Sequence, residues 1–136
     1  MLPAVRMALS EAAALVAAGV THLKFEHENA PGSVPAFDID LGVVAPDGSF
    51  TLAYQFKSCQ GLENLARNAN SAAKQLVDAP AKDKWVVLEV VAGRKTAGTK
   101  AEYDASPYTR GIADFKANYP GIRLRIEFAD NQTLTL

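Results

Sequence analysis

Four polar side chains interrupt an apolar stretch that is otherwise typical of a β-hairpin. In "AFDIDLGVVAPDGSFTLAYQFKSC", residues 36–59, these are Asp38, Asp40, Gln55 and Lys57. Two carboxylates and an amide carbonyl are oxygen ligands of the kind that Mg²⁺ or Mn²⁺ prefers. A lysine beside them could orient a water molecule or neutralise the charge of a phosphorane-like transition state. The residue types therefore suggest metal-assisted chemistry, provided that the fold brings them together.

The turn of this hairpin determines which of these residues face each other. Asp47-Gly48 is the commonest signal of a two-residue hairpin turn. Such a turn places Asp40 opposite Gln55 and Asp38 opposite Lys57, and cross-strand partners share a face of the sheet. Residues two apart on one strand share that face as well. All four side chains are therefore predicted to converge on one patch.

The same register predicts an apolar opposite face and a space above the polar patch. Gly42 lies opposite Ala53, which would leave room for a ligand. The alternative is a solvated hairpin face with an ordinary ion pair between Asp38 and Lys57. The apolar face is built from Ile39 with Phe56, Leu41 with Tyr54, and Val43 with Leu52.

The elements around the hairpin follow from apolar periodicity and turn residues. Together they give the order α-β-β-β-α-β-α-β, which indicates one α/β domain over residues 1–136 with a mixed sheet and helices on both faces. The tail, residues 131–136, either extends the last strand or frays. The predicted elements are a helix at 3–18, a strand at 21–29, a loop at 30–35, the hairpin at 36–59, a helix at 61–79, a strand at 84–93, a polar loop at 93–106, a helix at 106–121 and a strand at 122–130.

Composition excludes several classes of protein. The chain has 136 residues, a net charge of −1 and a single cysteine, so it can form no internal disulfide and no cysteine-based zinc site. No apolar run reaches membrane-spanning length. Arg6 and Glu11 interrupt the N-terminal apolar stretch, which favours a helix of the fold over a signal segment. Cys59 is expected to be a buried thiol.

The hairpin resembles the PD-(D/E)XK nuclease superfamily. Members of that family carry a catalytic aspartate at the start of the second core strand, and an acidic residue, any residue and a lysine on the third. Asp40 matches the aspartate, and "QFK", from Gln55 to Lys57, matches the second half. The family core is α-β-β-β-α-β, so the resemblance implies a restriction-endonuclease-like core with a helix and a strand added at the C-terminus. Gln55 is a departure, since the family usually has Glu or Asp there.

The resemblance implies a metal site and a set of substrate contacts. Asp40 and Gln55 would hold Mg²⁺ or Mn²⁺, with Asp38 replacing the charge missing at position 55 and Glu11 supplying the acid that many members place on the first helix. Lys57 would position the attacking water or stabilise the transition state. Glu11 and the polar residues of the second helix and of the basic loop could also be simply solvent-facing side chains, and Ser58 could instead cap the next helix. The predicted substrate contacts are Ser58, Lys74 and Gln75 near the site, and Arg94 and Lys95 in the polar loop.

The implied function is that of a metal-dependent endonuclease. The domain is similar in size to toxin nuclease domains of bacterial contact-dependent growth inhibition proteins, several of which cleave tRNA. That similarity implies RNA over DNA as substrate, a cognate immunity protein, no membrane partner, and delivery into a target-cell cytoplasm as part of a larger secreted surface protein; without a toxin role, a cytoplasmic location is expected. Two alternatives stay open: a non-catalytic binding module, and a DNA restriction or repair nuclease of the same fold.

Overall fold

A computed structural model describes residues 2–28 and 36–136 of the chain. The loop predicted at 30–35 lies outside these residues. The predicted helices and strands are confirmed, with small shifts of their ends. The elements are α1 (Pro3–Ala17), β1 (Leu23–Glu28), β2 (Asp38–Val44), β3 (Phe50–Gln60), a 3-10 turn (Leu62–Asn64), α2 (Leu65–Leu76), β4 (Ala81–Val91), α3 (Lys100–Asp104), α4 (Tyr108–Asn118), β5 (Ile122–Glu127) and β6 (Thr133–Thr135).

The described strands form one mixed sheet in the order β1-β2-β3-β4-β5-β6. The first three strands are antiparallel neighbours, β3, β4 and β5 run parallel, and β6 is antiparallel to β5. The parallel pairs are joined through α2 and through α3 with α4, since a parallel connection needs a crossover of this length. The predicted α/β class with a mixed sheet is confirmed.

Two apolar clusters hold helices against opposite faces of the sheet, as predicted. One face packs against α1, where Met7, Ala8 and Ala12 contact a cluster that includes Tyr54 and Phe56. The other face packs against α2 and α4 and contains the larger cluster. The periodic apolar positions of α2 are fully buried there, from Leu65 to Leu76, and so is Leu62 in the preceding 3-10 turn. The strand β3 is therefore covered on both sides, which makes it a rigid support for side chains.

Two parts of the chain differ from the sequence prediction. The polar loop at 93–106 contains α3, because the Thr99 side chain accepts a hydrogen bond from Glu102 N and the Glu102 carboxylate accepts one from Gly98 N. The tail neither extends β5 nor frays. It reverses at Asn131, whose φ is +63°, and returns as β6. None of the described helices is long and apolar enough to cross a membrane.

Candidate functional site

The hairpin that carries the predicted site turns over three residues rather than two. Ala45 N donates to Ser49 O at 2.8 Å, which encloses Pro46, Asp47 and Gly48. Gly48 has a φ of +86°, a value that glycine adopts without steric cost. The predicted two-residue turn is therefore wrong. An irregularity at Val43 and Val44 then shifts the register by one residue, and this shift offsets the longer turn.

Beyond that irregularity the predicted register is confirmed. Leu41 pairs with Tyr54, Gly42 with Ala53, and Val43 with Leu52. The hairpin ladder ends at the Leu41–Tyr54 pair, before it reaches the polar residues.

Side-chain hydrogen bonds replace the ladder where the polar residues begin. Phe56 N donates to Asp40 Oδ2 at 2.9 Å, and Gln55 Nε2 donates to the backbone carbonyl of Asp38 at 2.9 Å. The predicted backbone pairs of Asp40 with Gln55 and of Asp38 with Lys57 are therefore absent from the ladder between these two strands. Each strand instead holds a polar side chain of the other.

The side chains of β2 switch from one face of the sheet to the other at Asp40. Leu41 belongs to the apolar cluster under α1, whereas Ile39, two residues away, belongs to the cluster under α2. The predicted pairing of Ile39 with Phe56 on one face is therefore wrong. The neighbouring strand is irregular at the same level. Glu26 of β1 has a φ of +52°, and the regular pairing of β1 with β2 omits Glu26 and Asp40. This kink turns Asp40 out of the regular alternation.

The space predicted above Gly42 is filled by an aromatic ring. A Cβ added at Gly42 would lie 2.5 Å from the ring of Phe50. The pairing of Gly42 with Ala53 is as predicted, but the missing side chain makes room for Phe50 rather than for a ligand. The open volume lies farther along the hairpin.

The four polar hairpin residues line one cavity of about 330 Å³, here called the polar cavity. Gln55 is only 2% exposed. Two predicted substrate contacts, Ser58 and Gln75, line the same cavity. Oε1 of Gln75 is buried and has no hydrogen-bond partner among the described residues, so that oxygen faces protein in this conformation. The remaining lining residues are Leu2, Pro3, Ala4 and Phe56.

The charges around Asp40 partly oppose its ionisation. Burial raises the pKa of Asp40 above its usual value, and the nearby carboxylates of Asp38 and Glu26 raise it further. The hydrogen bond from Phe56 N and the ammonium of Lys57 act in the opposite direction. A cation bound beside Asp40 would relieve this repulsion.

Glu11 does not reach the polar cavity. Its carboxylate accepts a 2.7 Å hydrogen bond from the Arg125 guanidinium and lies beside the Tyr54 hydroxyl. Burial, with a smaller contribution from Glu11, raises the pKa of Tyr54. Glu11 therefore joins α1 to the sheet.

Three predicted substrate residues also lie apart from the polar cavity. Lys74 is exposed on α2 and is not among the residues that line it. Arg94 and Lys95 line a second cavity with Gln60, Glu63 and Asn64.

The first turn of α1 forms one wall of the polar cavity through Leu2, Pro3 and Ala4, a role that the sequence pattern does not predict. Small and apolar residues give no signal of such a role. Cys59 is buried, as predicted, and burial raises the pKa of its thiol to about 12. A thiol that stays protonated at neutral pH is a poor nucleophile.

Among residues 2–28 and 36–136, no group of three or more His, Cys, Asp or Glu side chains is arranged to hold a metal ion. The polar cavity thus offers two aspartates, and any further ligand from its lining residues must be an amide, hydroxyl or backbone oxygen. No family model, no curated protein and no solved structure matches the chain.

Proposed function

We propose that the polar cavity is the active site of a metal-dependent phosphodiesterase that cleaves nucleic acid, in a restriction-endonuclease-like domain of the PD-(D/E)XK type. The observation that carries the proposal is the convergence of Asp38, Asp40, Gln55 and Lys57 on one cavity. The element order from α1 to β4 also supports it, because it is the α-β-β-β-α-β order that the resemblance implies. The cavity residues support the metal-dependent chemistry, and the sequence resemblance supports the PD-(D/E)XK type.

The donor set fits Mg²⁺ or Mn²⁺. Mg²⁺ is usually held by one or two carboxylates together with waters and substrate phosphates, rather than by a full protein cage. Asp38 and Asp40 provide the carboxylates. Because the amide nitrogen of Gln55 donates to Asp38 O, its carbonyl oxygen is the atom left for a cation. Glu11 is left out of this ligand set because it is bonded to Arg125.

The remaining residues have roles that follow from their surroundings. No described residue forms an ion pair with Lys57, so its ammonium is free to donate to an attacking water or to a phosphate oxygen. Gln75 lines the same cavity, and its amide could hydrogen-bond to that water or to a sugar hydroxyl after a turn of the side chain. A bound Mg²⁺ would polarise a phosphoryl oxygen and lower the pKa of its water.

A cleavage assay tests this function. Purified protein is incubated with tRNA, single-stranded RNA and plasmid DNA, with Mg²⁺ or with EDTA, beside the variants Asp40→Ala and Lys57→Ala. We expect cleavage that needs Mg²⁺ and that both substitutions abolish. Cleavage that persists in both variants would remove the site assignment.

The comparison of substrates tests the toxin role, which rests on the resemblance alone. Preference for tRNA would support a toxin domain that acts on RNA in a target cell and is held by an immunity protein. Preference for plasmid DNA would support a restriction or repair nuclease.

A second candidate function is a non-catalytic binding module. The observation that favours it is Gln55, because an amide in place of a carboxylate leaves the cavity with two acids. Calorimetric titration with Mn²⁺ distinguishes the two functions. Binding heat that is lost in Asp40→Asn supports the enzyme, whereas the absence of heat in the wild-type protein supports the binding module.

A further inference from the structure

A second cavity, here called the basic cavity, lies at the carboxyl ends of β3 and β4. It measures about 340 Å³ and is lined by Gln60, Glu63, Asn64, Arg94 and Lys95. Gln60 ends β3 two residues after Ser58 of the polar cavity, a distance of roughly 7 Å along a strand. The two cavities are thus lined by successive residues of one face of β3. They lie toward the carboxyl end of the strand, where α/β sheets commonly bind ligands.

The basic cavity carries a net positive charge. Arg94 and Lys95 are exposed, and within the described part of the chain neither has an ion-pair or hydrogen-bond partner. Glu63 is the one acidic residue among the lining side chains. Two cations against one carboxylate attract an anion, and a guanidinium can bind two oxygens of one phosphate.

The turn that carries these cations is fixed by Thr96 to the 3-10 turn that follows β3. The Thr96 hydroxyl accepts from Leu62 N at 2.7 Å and donates to Glu63 Oε1 at 3.1 Å. The turn itself is closed by Gly93 N, which donates to Thr96 O at 2.9 Å. Arg94 and Lys95 therefore project from a turn that is already in place, which lowers the entropic cost of binding.

The carboxylate of Glu63 helps to hold this turn, because its Oε1 accepts the hydrogen bond from Thr96. It fills the space that a Cβ on Gly61 or Gly93 would occupy. Within residues 2–28 and 36–136 its Oε2 is buried without a hydrogen-bond partner, so that oxygen faces protein rather than the open side of the cavity. A carboxylate in this position holds the turn without accepting a ligand.

We propose that Arg94 and Lys95 bind the phosphate next to the one that is cleaved, and that Thr96 and Glu63 are positioning residues for them. The proposal rests on the proposed function. The ligand is a polynucleotide strand that extends from the polar cavity to the basic cavity. The strand must then carry at least one phosphate beyond the scissile one.

Binding is measured without catalysis, so that this site can be tested separately. In the Asp40→Asn background with EDTA, fluorescence anisotropy of a labelled single-stranded RNA 12-mer is followed at several salt concentrations. We expect Arg94→Ala with Lys95→Ala to weaken binding about tenfold, and to reduce the slope of log K against log salt by about 0.7, the value for one phosphate contact on a single strand. The charge-matched control, Lys82→Ala with Arg110→Ala, removes two exposed cations that line neither cavity and leaves both quantities unchanged.

Thr96→Val tests the positioning role, because it keeps both cations and the side-chain shape and removes both hydrogen bonds. In an active protein we expect the KM for RNA to rise about fivefold without a change in kcat, and Thr96→Ser to restore it. Melting curves verify that each variant folds. A Thr96→Val protein that folds and keeps the wild-type KM would overturn the positioning role.

The two proposals fail in distinguishable ways. If the Arg94 and Lys95 double variant binds RNA as tightly and with the same salt slope as the parent protein, the basic cavity is not a phosphate site, even where Asp40 and Lys57 support cleavage. If the wild-type protein cleaves nothing but the slope falls in the double variant, the phosphate site stands and the nuclease function fails.

Discussion

Asp40 and Gln55 are each held by a single hydrogen bond across the hairpin. The Asp40 carboxylate uses Oδ2 to accept from Phe56 N, and the Gln55 amide uses its nitrogen to donate to Asp38 O. In both cases one oxygen is left for a ligand, Oδ1 of Asp40 and Oε1 of Gln55. Glutamine at position 55 therefore removes a charge but adds a hydrogen bond to Asp38 O that an ionised carboxylate could not donate.

This arrangement predicts a conflict between stability and metal affinity at position 55. Gln55→Glu would set a carboxylate against a carbonyl oxygen and near two other acids, so we expect the free energy of unfolding to fall by about 1–3 kcal/mol. We also expect Mn²⁺ to bind more tightly and to restore the lost stability. Urea unfolding with and without Mn²⁺ measures both effects. Gln132→Glu, at an exposed turn, is the control, and equal Mn²⁺ affinity in Gln55→Glu and the wild type would contradict the prediction.

The raised pKa of Asp40 predicts a stability change whose sign depends on pH. Burial, aided by Asp38 and Glu26, disfavours the ionised form in the folded state. The folded state is therefore favoured by the protonated form of Asp40. This contribution to the free energy of unfolding is fully present below the ordinary pKa and is lost as pH rises through the higher pKa of the folded state. We expect Asp40→Asn to raise Tm at pH 7.5 but not at pH 3, and to reduce cleavage about a thousandfold or more.

Asp47→Asn is the control of opposite sign. The Ser49 hydroxyl and backbone N–H lower the pKa of Asp47, so its stabilising effect is present above its ordinary pKa and is lost in acid. We expect Asp47→Asn to lower Tm at pH 7.5. Thermal melts at the two pH values measure both variants, and a lower Tm for Asp40→Asn at pH 7.5 would show that the charge of Asp40 is not disfavoured.

Among the secondary-structure elements, apolar periodicity predicts the helices and strands but not the local turns and kinks between and within them. The apolar spacing of α2 and α4 predicts both helices, because burial on one face dictates that spacing. The turn at Pro46–Gly48 and the kink at Glu26 depend on single backbone conformations, which residue types do not specify. The polar cavity could be predicted as a meeting of four side chains, but not the absence of Glu11 from it, because that depends on Arg125, more than a hundred residues along the chain.

The packing of Phe50 over Gly42 gives a prediction for the hairpin. A methyl group at Gly42 would meet the ring at 2.5 Å, so we expect Gly42→Ala to lower the free energy of unfolding by about 1–3 kcal/mol through overpacking. Gly121→Ala is the matched control, because a Cβ there has no atom within 4 Å. Chemical denaturation measures both variants. Equal stability of the two would show that the ring moves aside without cost.

At the scale of the whole molecule, the two faces of the sheet have different chemistry. Under α2 and α4 the described core is almost entirely apolar. Under α1 the apolar cluster is accompanied by ion pairs that join the helix to distant strands, Glu11 with Arg125 and Arg6 with Glu89. Since the first turn of α1 also walls the polar cavity, these pairs hold that wall in position.

This arrangement predicts that Glu11 stabilises the fold and does not bind metal. Glu11→Gln removes a charge-assisted hydrogen bond between two mostly buried side chains, so we expect a loss of about 1–3 kcal/mol in the free energy of unfolding. We expect Mn²⁺ affinity to stay the same. Asp114→Asn, on the exposed side of α4, is the control. Weaker Mn²⁺ binding without a loss of stability would make Glu11 a ligand after all.

The position of a bound metal tests the metal-dependent function most directly. A crystal of the protein soaked in Mn²⁺ is measured for anomalous scattering, beside a crystal of Asp40→Asn treated in the same way. We expect an anomalous peak in the polar cavity, within ligand distance of Asp38, Asp40 and the Gln55 carbonyl oxygen, and no peak in the variant. A wild-type crystal with no peak in that cavity would contradict the metal-dependent function.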